Sequence, residues 1–432
     1  MDQLAVPEGY FTSGAMEDWG LVTYREAYLF YYGNATTITY KQYMNTIVSH
    51  EFSHQWFGDL VSPLWWSYIW LNEGFATYFE FKTVEVMEPT WEMMEQFIIK
   101  SSQYAMISDS SATTRHMNQD AQTPTAISGL FDRVAYDKAG AVIHQLETIV
   151  TYDNFMNGLN IYLNNKSFGN AQPSDLYNGI QAAVDASGYR IADDLTVAEI
   201  METWTENAGY PVLTVERNYN DGSVNFSQSR FILRSSANVT TSNLWFIPIN
   251  TATRSNYNFQ NFNIEFFLTE QNAVKNLNLV PGEWLLVNKG ERGYYRVNYD
   301  ERNWRLLTDY LNSNDYSQIS KTSRAQLIDD SFNLARSGRL RYEIPLNLMS
   351  LFSRDTDYIP YYAFLTDLDY VDTVLTATDQ YDDFKVFNGF LPSACTRRLP
   401  LKATGCRKQE NRTGRSYFME NLSSLIITNL GR

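Results

Sequence analysis

The chain has 432 residues and a formal net charge of −15, with 44% hydrophobic, 15% aromatic and 19% charged residues. That apolar and aromatic content excludes a disordered chain, and the length suits two or three domains that each bury a core. The acidic balance argues against nucleic-acid binding, no apolar run reaches membrane-spanning length, and the two cysteines, Cys395 and Cys406, lie too late to staple anything upstream.

Residues 1 to about 40 read as strands and turns, with Tyr10, Phe11, Trp19, Tyr24 and Phe30-Tyr31-Tyr32 punctuated by Gly9, Gly14, Gly20 and Gly33. The opening Met1–Pro7 has neither a basic segment nor an apolar one, so no signal peptide is expected there. From Lys41 the pattern turns helical: Tyr43, Ile47, Phe52 and Trp56 recur every four or five residues, and Gly58 is a natural stop. A second helix is expected over Trp66–Met87, and helical texture continues to about Trp204. From Pro211 to Tyr299 short runs of strand character appear: Val212–Val215, Phe231–Leu233, Leu244–Ile247 and Trp284–Val287. Helical periodicity returns at Glu301 and fades near 386. The last stretch, 387–432, carries eight Arg or Lys against two Glu, either as a solvated basic tail or as a divergent terminus outside the fold. These shifts predict a multidomain α+β protein. It would have a mainly helical domain over 1–210, a small antiparallel β-sandwich over 211–299, a partial helical domain over 300–386 and a basic tail of uncertain structure.

The sharpest chemical signal is His50-Glu51-Phe52-Ser53-His54. On a helix, residues four apart share a face, so both imidazoles can bind one metal ion, with Glu51 beside it as general base. Two imidazoles need a third protein ligand. Asn72-Glu73-Gly74-Phe75-Ala76 supplies Glu73, with eighteen residues separating it from His54, room for a turn and a second helix. The chain's other histidines, His116 and His144, fall outside this spacing and read as core or surface residues.

Together with Gly14-Ala15-Met16-Glu17-Asp18 and Phe131-Asp132-Arg133-Val134-Ala135-Tyr136-Asp137, these segments resemble the zinc aminopeptidases of the aminopeptidase N type, in their animal and insect forms. The resemblance covers residues 1 to about 386. It implies a thermolysin-like catalytic domain and one zinc ion per chain held by His50, His54 and Glu73. A zinc-bound water would be the nucleophile and Glu51 its general base. Tyr136 would stabilise the oxyanion, and Glu17 would anchor the substrate's α-amino group. Gly14, Ala15 and Met16 would lie along the substrate backbone. Substrates would be peptides with a free N-terminus, met outside the cell or on the outer face of the plasma membrane. Asp18 replaces the family's usual Asn. The family also has a β-rich domain before the Gly-Ala-Met-Glu segment, whereas here only thirteen residues precede Gly14, so a truncated chain is expected. The alternative is a catalytically silent fragment or binding form of such an enzyme. A zinc endopeptidase or an epoxide-opening relative on the same scaffold is a third reading. The oligomeric state leaves no mark in the sequence.

Overall fold

A computed structural model describes residues 1–234, 243–379, 381–382 and 384; the basic tail and both cysteines lie outside these described residues. Three strands open the chain, β1 (Asp2–Val6), β2 (Ala15–Met16) and β3 (Leu21–Arg25). They pair in the order β1–β3–β2, with β3 parallel to β1 and antiparallel to β2, which makes β2 an edge. The strand character expected up to residue 40 ends here. A short helix α1 (Glu26–Leu29) and a tight turn at Gly33–Ala35 follow, and then α2 (Ile38–His54). Helix α1 is held by α2 and not by a sheet ladder: the Tyr40 hydroxyl donates to the Ala27 carbonyl at 2.7 Å, and Tyr28 meets Tyr43 edge-on at 5.3 Å, while Phe30, Tyr31 and Tyr32 stay exposed. Helix α2 starts before Lys41 because Thr37 caps it, its hydroxyl accepting from the Tyr40 N–H.

Strand β4 (Val61–Pro63) leads into α3 (Trp70–Met87), α4 (Met93–Phe97), α5 (Gln103–Asp109) and α6 (Pro124–Ser128). Then come α7 (Ala139–Val150), α8 (Tyr152–Lys166), β5 (Gly169–Ala171), α9 (Pro173–Ser187) and α10 (Val197–Thr205). Strands β4 and β5 pair in parallel. Eleven of the eighteen residues of α3 and eleven of the twelve of α7 are buried, so these two helices form the centre of this half. Helix α7 is covered along nearly its whole length, whereas α3 is buried over its first nine residues and surfaces at Thr83, Val86 and Met87.

Eight strands occupy the described part of residues 211–299. They are β6 (Pro211–Arg217), β7 (Ser223–Arg230), β8 (Ile247–Ile249), β9 (Thr251–Thr253), β10 (Phe266–Leu268), β11 (Asn272–Asn276), β12 (Leu285–Val287) and β13 (Arg296–Tyr299). A four-stranded sheet runs β11–β7–β6–β13, with β8–β10 and β9–β12 as separate pairs. The expected wholly antiparallel arrangement fails at one place: β13 lies parallel to β6. After β8, β9 and β10 the chain returns to pair β11 with β7, then passes through β12, and β13 comes in alongside β6 in the same direction. Phe231–Leu233 and Leu244–Phe246 are not strands either. In the second of these the Gln228 side chain substitutes for a ladder partner, accepting from the Trp245 N–H and donating to the Trp245 carbonyl, both at 2.9 Å.

Helices α11 (Glu301–Leu311), α12 (Lys321–Arg336), α13 (Glu343–Leu348) and α14 (Tyr358–Leu375) complete the described chain. Buried polar links tie the segments together. Lys138 pairs with Asp109 at 2.9 Å and donates to the Gly209 carbonyl at 2.8 Å. Arg296, fully buried on β13, pairs with Asp329 and, at 3.0 Å, with Asp330 of α12. Gln103 donates to Glu291 at 2.7 Å. No helix among the described residues is long and apolar enough to cross a membrane.

Candidate metal centre and substrate cleft

Helix α2 ends on His54, and the chain reverses sharply behind it. Gly58 sits at φ 148°, where a side chain is rarely tolerated, and a Cβ there would lie 3.2 Å from both the His54 carbonyl and the Asn72 amide. This turn delivers the chain through β4 to α3, whose first turn carries Glu73. Phe57 and Phe75 stack at 4.3 Å, only 5° from parallel, which fixes the two helix ends against each other. Gly74 lets α3 approach α7 closely: a Cβ at this position would be 2.5 Å from the Ala139 Cβ.

His50 and His54 therefore face Glu73. The Glu73 Oε2 atom is 3.4 Å from His50 Nε2 and 3.2 Å from His54 Nε2. Among the described residues, these three form the group of His, Cys and carboxylate donors that could hold a metal ion, with ligand atoms all within 4.8 Å of one another. The far ring nitrogens are also engaged: His50 Nδ1 is 2.7 Å from Glu80 Oε2, and His54 Nδ1 is 2.9 Å from the Phe57 carbonyl. Glu51, 6% exposed, keeps one carboxylate oxygen buried without a hydrogen-bond partner. Two imidazoles, a carboxylate and an orphaned carboxylate oxygen beside them are a donor set that fits a divalent metal of borderline softness.

Burial pushes the Glu51 carboxyl up to about 7, against the opposing pull of His50 and His54. Burial also works to raise Glu73, but hydrogen bonds from the two imidazoles outweigh it and hold that carboxyl at about 2. Tyr136 lies over the His50 ring, 6.0 Å away and 12° from parallel. Burial, and then the charge of Glu73, raise its phenol well above the usual range, so it is a donor at any ordinary pH. It is carried on a π-helical turn, Val134–Lys138, that abuts a second such turn, Ile98–Ser102, through a 2.9 Å hydrogen bond from Ser101 to Asp137. Such widened turns re-aim side chains and are frequent at functional sites.

Glu17 follows the edge strand β2, with its Oε1 3.9 Å from His54 Nδ1. Asp18 turns the other way and accepts from the Thr23 hydroxyl at 3.2 Å. Gly14 packs on Tyr28, where a Cβ would come to 3.1 Å from the ring. Gly14, Ala15, Met16, Glu17, His50, Glu51, His54, Glu73 and Tyr136 all line one cavity of about 670 Å³. Leu64, Trp65, Trp66 and Phe131 form its apolar wall. His144 lies outside it, buried on α7 between Tyr78 and Phe97.

Sequence reasoning misses two supports. Gln55 holds the loop of Glu17, donating to the Glu17 carbonyl at 3.0 Å and accepting from the Gly20 N–H at 3.3 Å. Nothing in the local pattern marks it. Glu80 does leave a signal, because it stands seven residues after Glu73 and so on the same helix face.

Residues 1–204 match the Peptidase family M1 domain, and residues 284–425 match the ERAP1-like C-terminal domain. Aminopeptidase N of Plutella xylostella is 39% identical over 408 residues, which is 93% of this chain and 42% of that protein. Aminopeptidase N of Rattus norvegicus is 37% identical, covering 89% of this chain and 39% of its own length. Membrane alanyl aminopeptidase of Heliothis virescens is 35% identical over 89% of this chain and 38% of its own. The chain thus spans about two fifths of the length of these relatives. The chain is thus similar to peptidase family M1 over its front half and to the ERAP1-like domain behind it, with aminopeptidase relatives matched along nearly all of its sequence.

Proposed function

We propose that this protein is a zinc aminopeptidase that hydrolyses the first peptide bond of peptides with a free N-terminus. The observation that carries this reading is the convergence of His50, His54 and Glu73 within 4.8 Å, in a cavity that also holds Glu51, Glu17 and Tyr136. His50, His54 and Glu73 would hold one zinc per chain. When bound, zinc acidifies water and polarises a carbonyl. Glu51 takes the proton from the attacking water and returns it to the leaving amine; a carboxyl near 7 suits both halves of that task. Tyr136 donates to the oxyanion that develops on the scissile carbonyl. Glu17 receives the cationic α-amino group, so that the first peptide bond lies over the catalytic groups. The free side of the edge strand β2 gives the substrate backbone a ladder to join, which Gly14 and Ala15 keep clear.

The same reading takes residues 1–210 as a thermolysin-like peptidase domain, 211–299 as a β-sandwich and 300 onward as a helical domain. The change from helices to strands at Pro211, and back at Glu301, supports it. It also places the enzyme outside the cell or on the outer membrane face, because relatives include a membrane alanyl aminopeptidase and a thyrotropin-releasing hormone-degrading ectoenzyme.

The test is zinc content and hydrolysis of an alanyl or leucyl arylamide by the purified chain, beside an N-acetylated counterpart. Turnover that a chelator abolishes, and that is absent on the acetylated substrate, supports the assignment. Equal cleavage of both substrates points to an endopeptidase. Bound zinc without turnover favours a silent form.

A further inference from the structure

We infer that Glu80 is the positioning residue of the metal centre: it fixes which nitrogen of His50 faces the metal and adds a negative charge behind that ligand. This rests on the zinc reading above.

Helix α3 contacts the same imidazole at both nitrogens. Glu73, in its first turn, faces Nε2 at 3.4 Å, and Glu80, two turns on, faces Nδ1 at 2.7 Å. A neutral imidazole carries one N–H and one lone pair. An ionised carboxylate only accepts, so the proton of His50 sits on Nδ1 and is donated to Glu80, which leaves the Nε2 lone pair for the cavity. The pair is sequestered, with side-chain exposures of 13% for His50 and 19% for Glu80, so rotation of the ring would strand both partners. His54 has a different arrangement. Its Nδ1 donates to the Phe57 carbonyl at 2.9 Å, a neutral acceptor supplied by the turn, and the Glu17 carboxylate stands further off at 3.9 Å, beyond hydrogen-bond reach. The two imidazoles thus form an unequal pair. A carboxylate behind an imidazole raises its basicity as a ligand, and loss of such a partner weakens metal binding by about 10- to 100-fold. His50 is accordingly the stronger donor of the two, and removal of Glu80 abolishes that advantage without touching any ligand.

Two measurements on the full chain test this. The first is zinc affinity by chelator competition for the wild type, Glu80→Gln and Glu80→Asp, with melting of each apo form as the check on folding. Glu80→Gln should weaken zinc by about 10- to 100-fold with the apo fold retained, and Glu80→Asp should recover part of the loss. A folded Glu80→Gln that binds zinc as tightly as the wild type overturns the inference. The second needs no variant: ¹⁵N-imidazole NMR of the zinc-loaded wild type, where the chain's four histidines make assignment tractable. His50 should be metallated at Nε2 and carry a strongly downfield Nδ1 proton, and metallation at Nδ1 overturns the inference. If the wild type binds zinc and cleaves the arylamide while Glu80→Gln is unchanged, only the role of Glu80 falls. If the wild type takes up no zinc, the aminopeptidase reading falls and this inference falls with it.

Discussion

Replacing Gly74 with alanine probes the helix contact beneath the site. The added methyl would sit 2.5 Å from the Ala139 Cβ and 3.2 Å from the Ala139 carbonyl carbon and the Ile143 Cδ1. Carbon atoms pack best at about 3.5–4.0 Å, so α3 and α7 must part by about 1 Å, and a Cβ on a helix cannot rotate out of the way. Overpacking of this kind costs about 1–3 kcal/mol, while glycine-to-alanine within a helix returns about 1 kcal/mol. The net loss, up to about 2 kcal/mol, corresponds to a melting point lower by as much as roughly 8 °C for a domain of this size. The displacement falls between Glu73, one residue before Gly74, and the π turn that carries Tyr136 and ends beside Ala139. A shift of about 1 Å there is expected to lower kcat/KM by up to about 100-fold. Thermal unfolding and arylamide hydrolysis read the two effects together. The exchanged pair, Gly74→Ala with Ala139→Gly, relieves the clash and should recover most of both. A Gly74→Ala protein that melts at or above the wild-type temperature would refute the close contact, since helix propensity alone would then decide the outcome.

Glu51→Gln should keep full zinc occupancy and lose about 10²- to 10⁴-fold in turnover, because the base is gone and the ligands remain; metal analysis beside kinetics checks this. Glu73→Gln should show the opposite order, with zinc affinity failing first in a chelator titration. Lys138→Met strands the Asp109 carboxylate, whose partner is buried with it, and should cost about 3–5 kcal/mol in urea unfolding, with part recovered by adding Asp109→Leu. The carboxyls around Arg296 predict a pH effect. Burial, reinforced by Asp329, pushes Asp330 up to about 7, and burial holds Asp367 well above the carboxylate range. Folded values above unfolded ones mean that this stability is whole below about pH 4 and is lost as the pH rises through about 7. The urea midpoint should fall between about pH 5 and 8, and Asp367→Asn should flatten that fall.

The metal-site helices were legible because their signal is periodic and local. Two histidines four apart, a glycine stop and a glutamate in the next helix specify both spacing and face. The start of α2 was less visible, since it depends on one hydroxyl, Thr37, in a threonine-rich turn. Strand β7 was harder. It alternates as a half-buried strand should, but Gln228 and Arg230 occupy inward positions usually filled by apolar side chains. They are inside because they satisfy distant backbone carbonyls, which no local window reveals. The parallel pairing of β13 with β6 was likewise out of reach, because direction is set by the path of some eighty intervening residues. Within the site, Glu80 could have been read from its seven-residue spacing to Glu73. Gln55 could not, because its partners are the backbone of a loop more than thirty residues away.

The π turn at Val134–Lys138 makes the cavity sensitive to the number of residues as well as to their identity. A widened turn is an α-helix with one residue too many, and each residue advances an α-helix by about 100°. Deleting one residue before Tyr136 would let the turn relax to regular helix and leave α7 buried in its present register. The phenol would then swing about a quarter-turn off His50. The core of α7 would keep its packing while the Tyr136 phenol left the cavity, so a one-residue length change at this point alters the site without altering the helices that frame it.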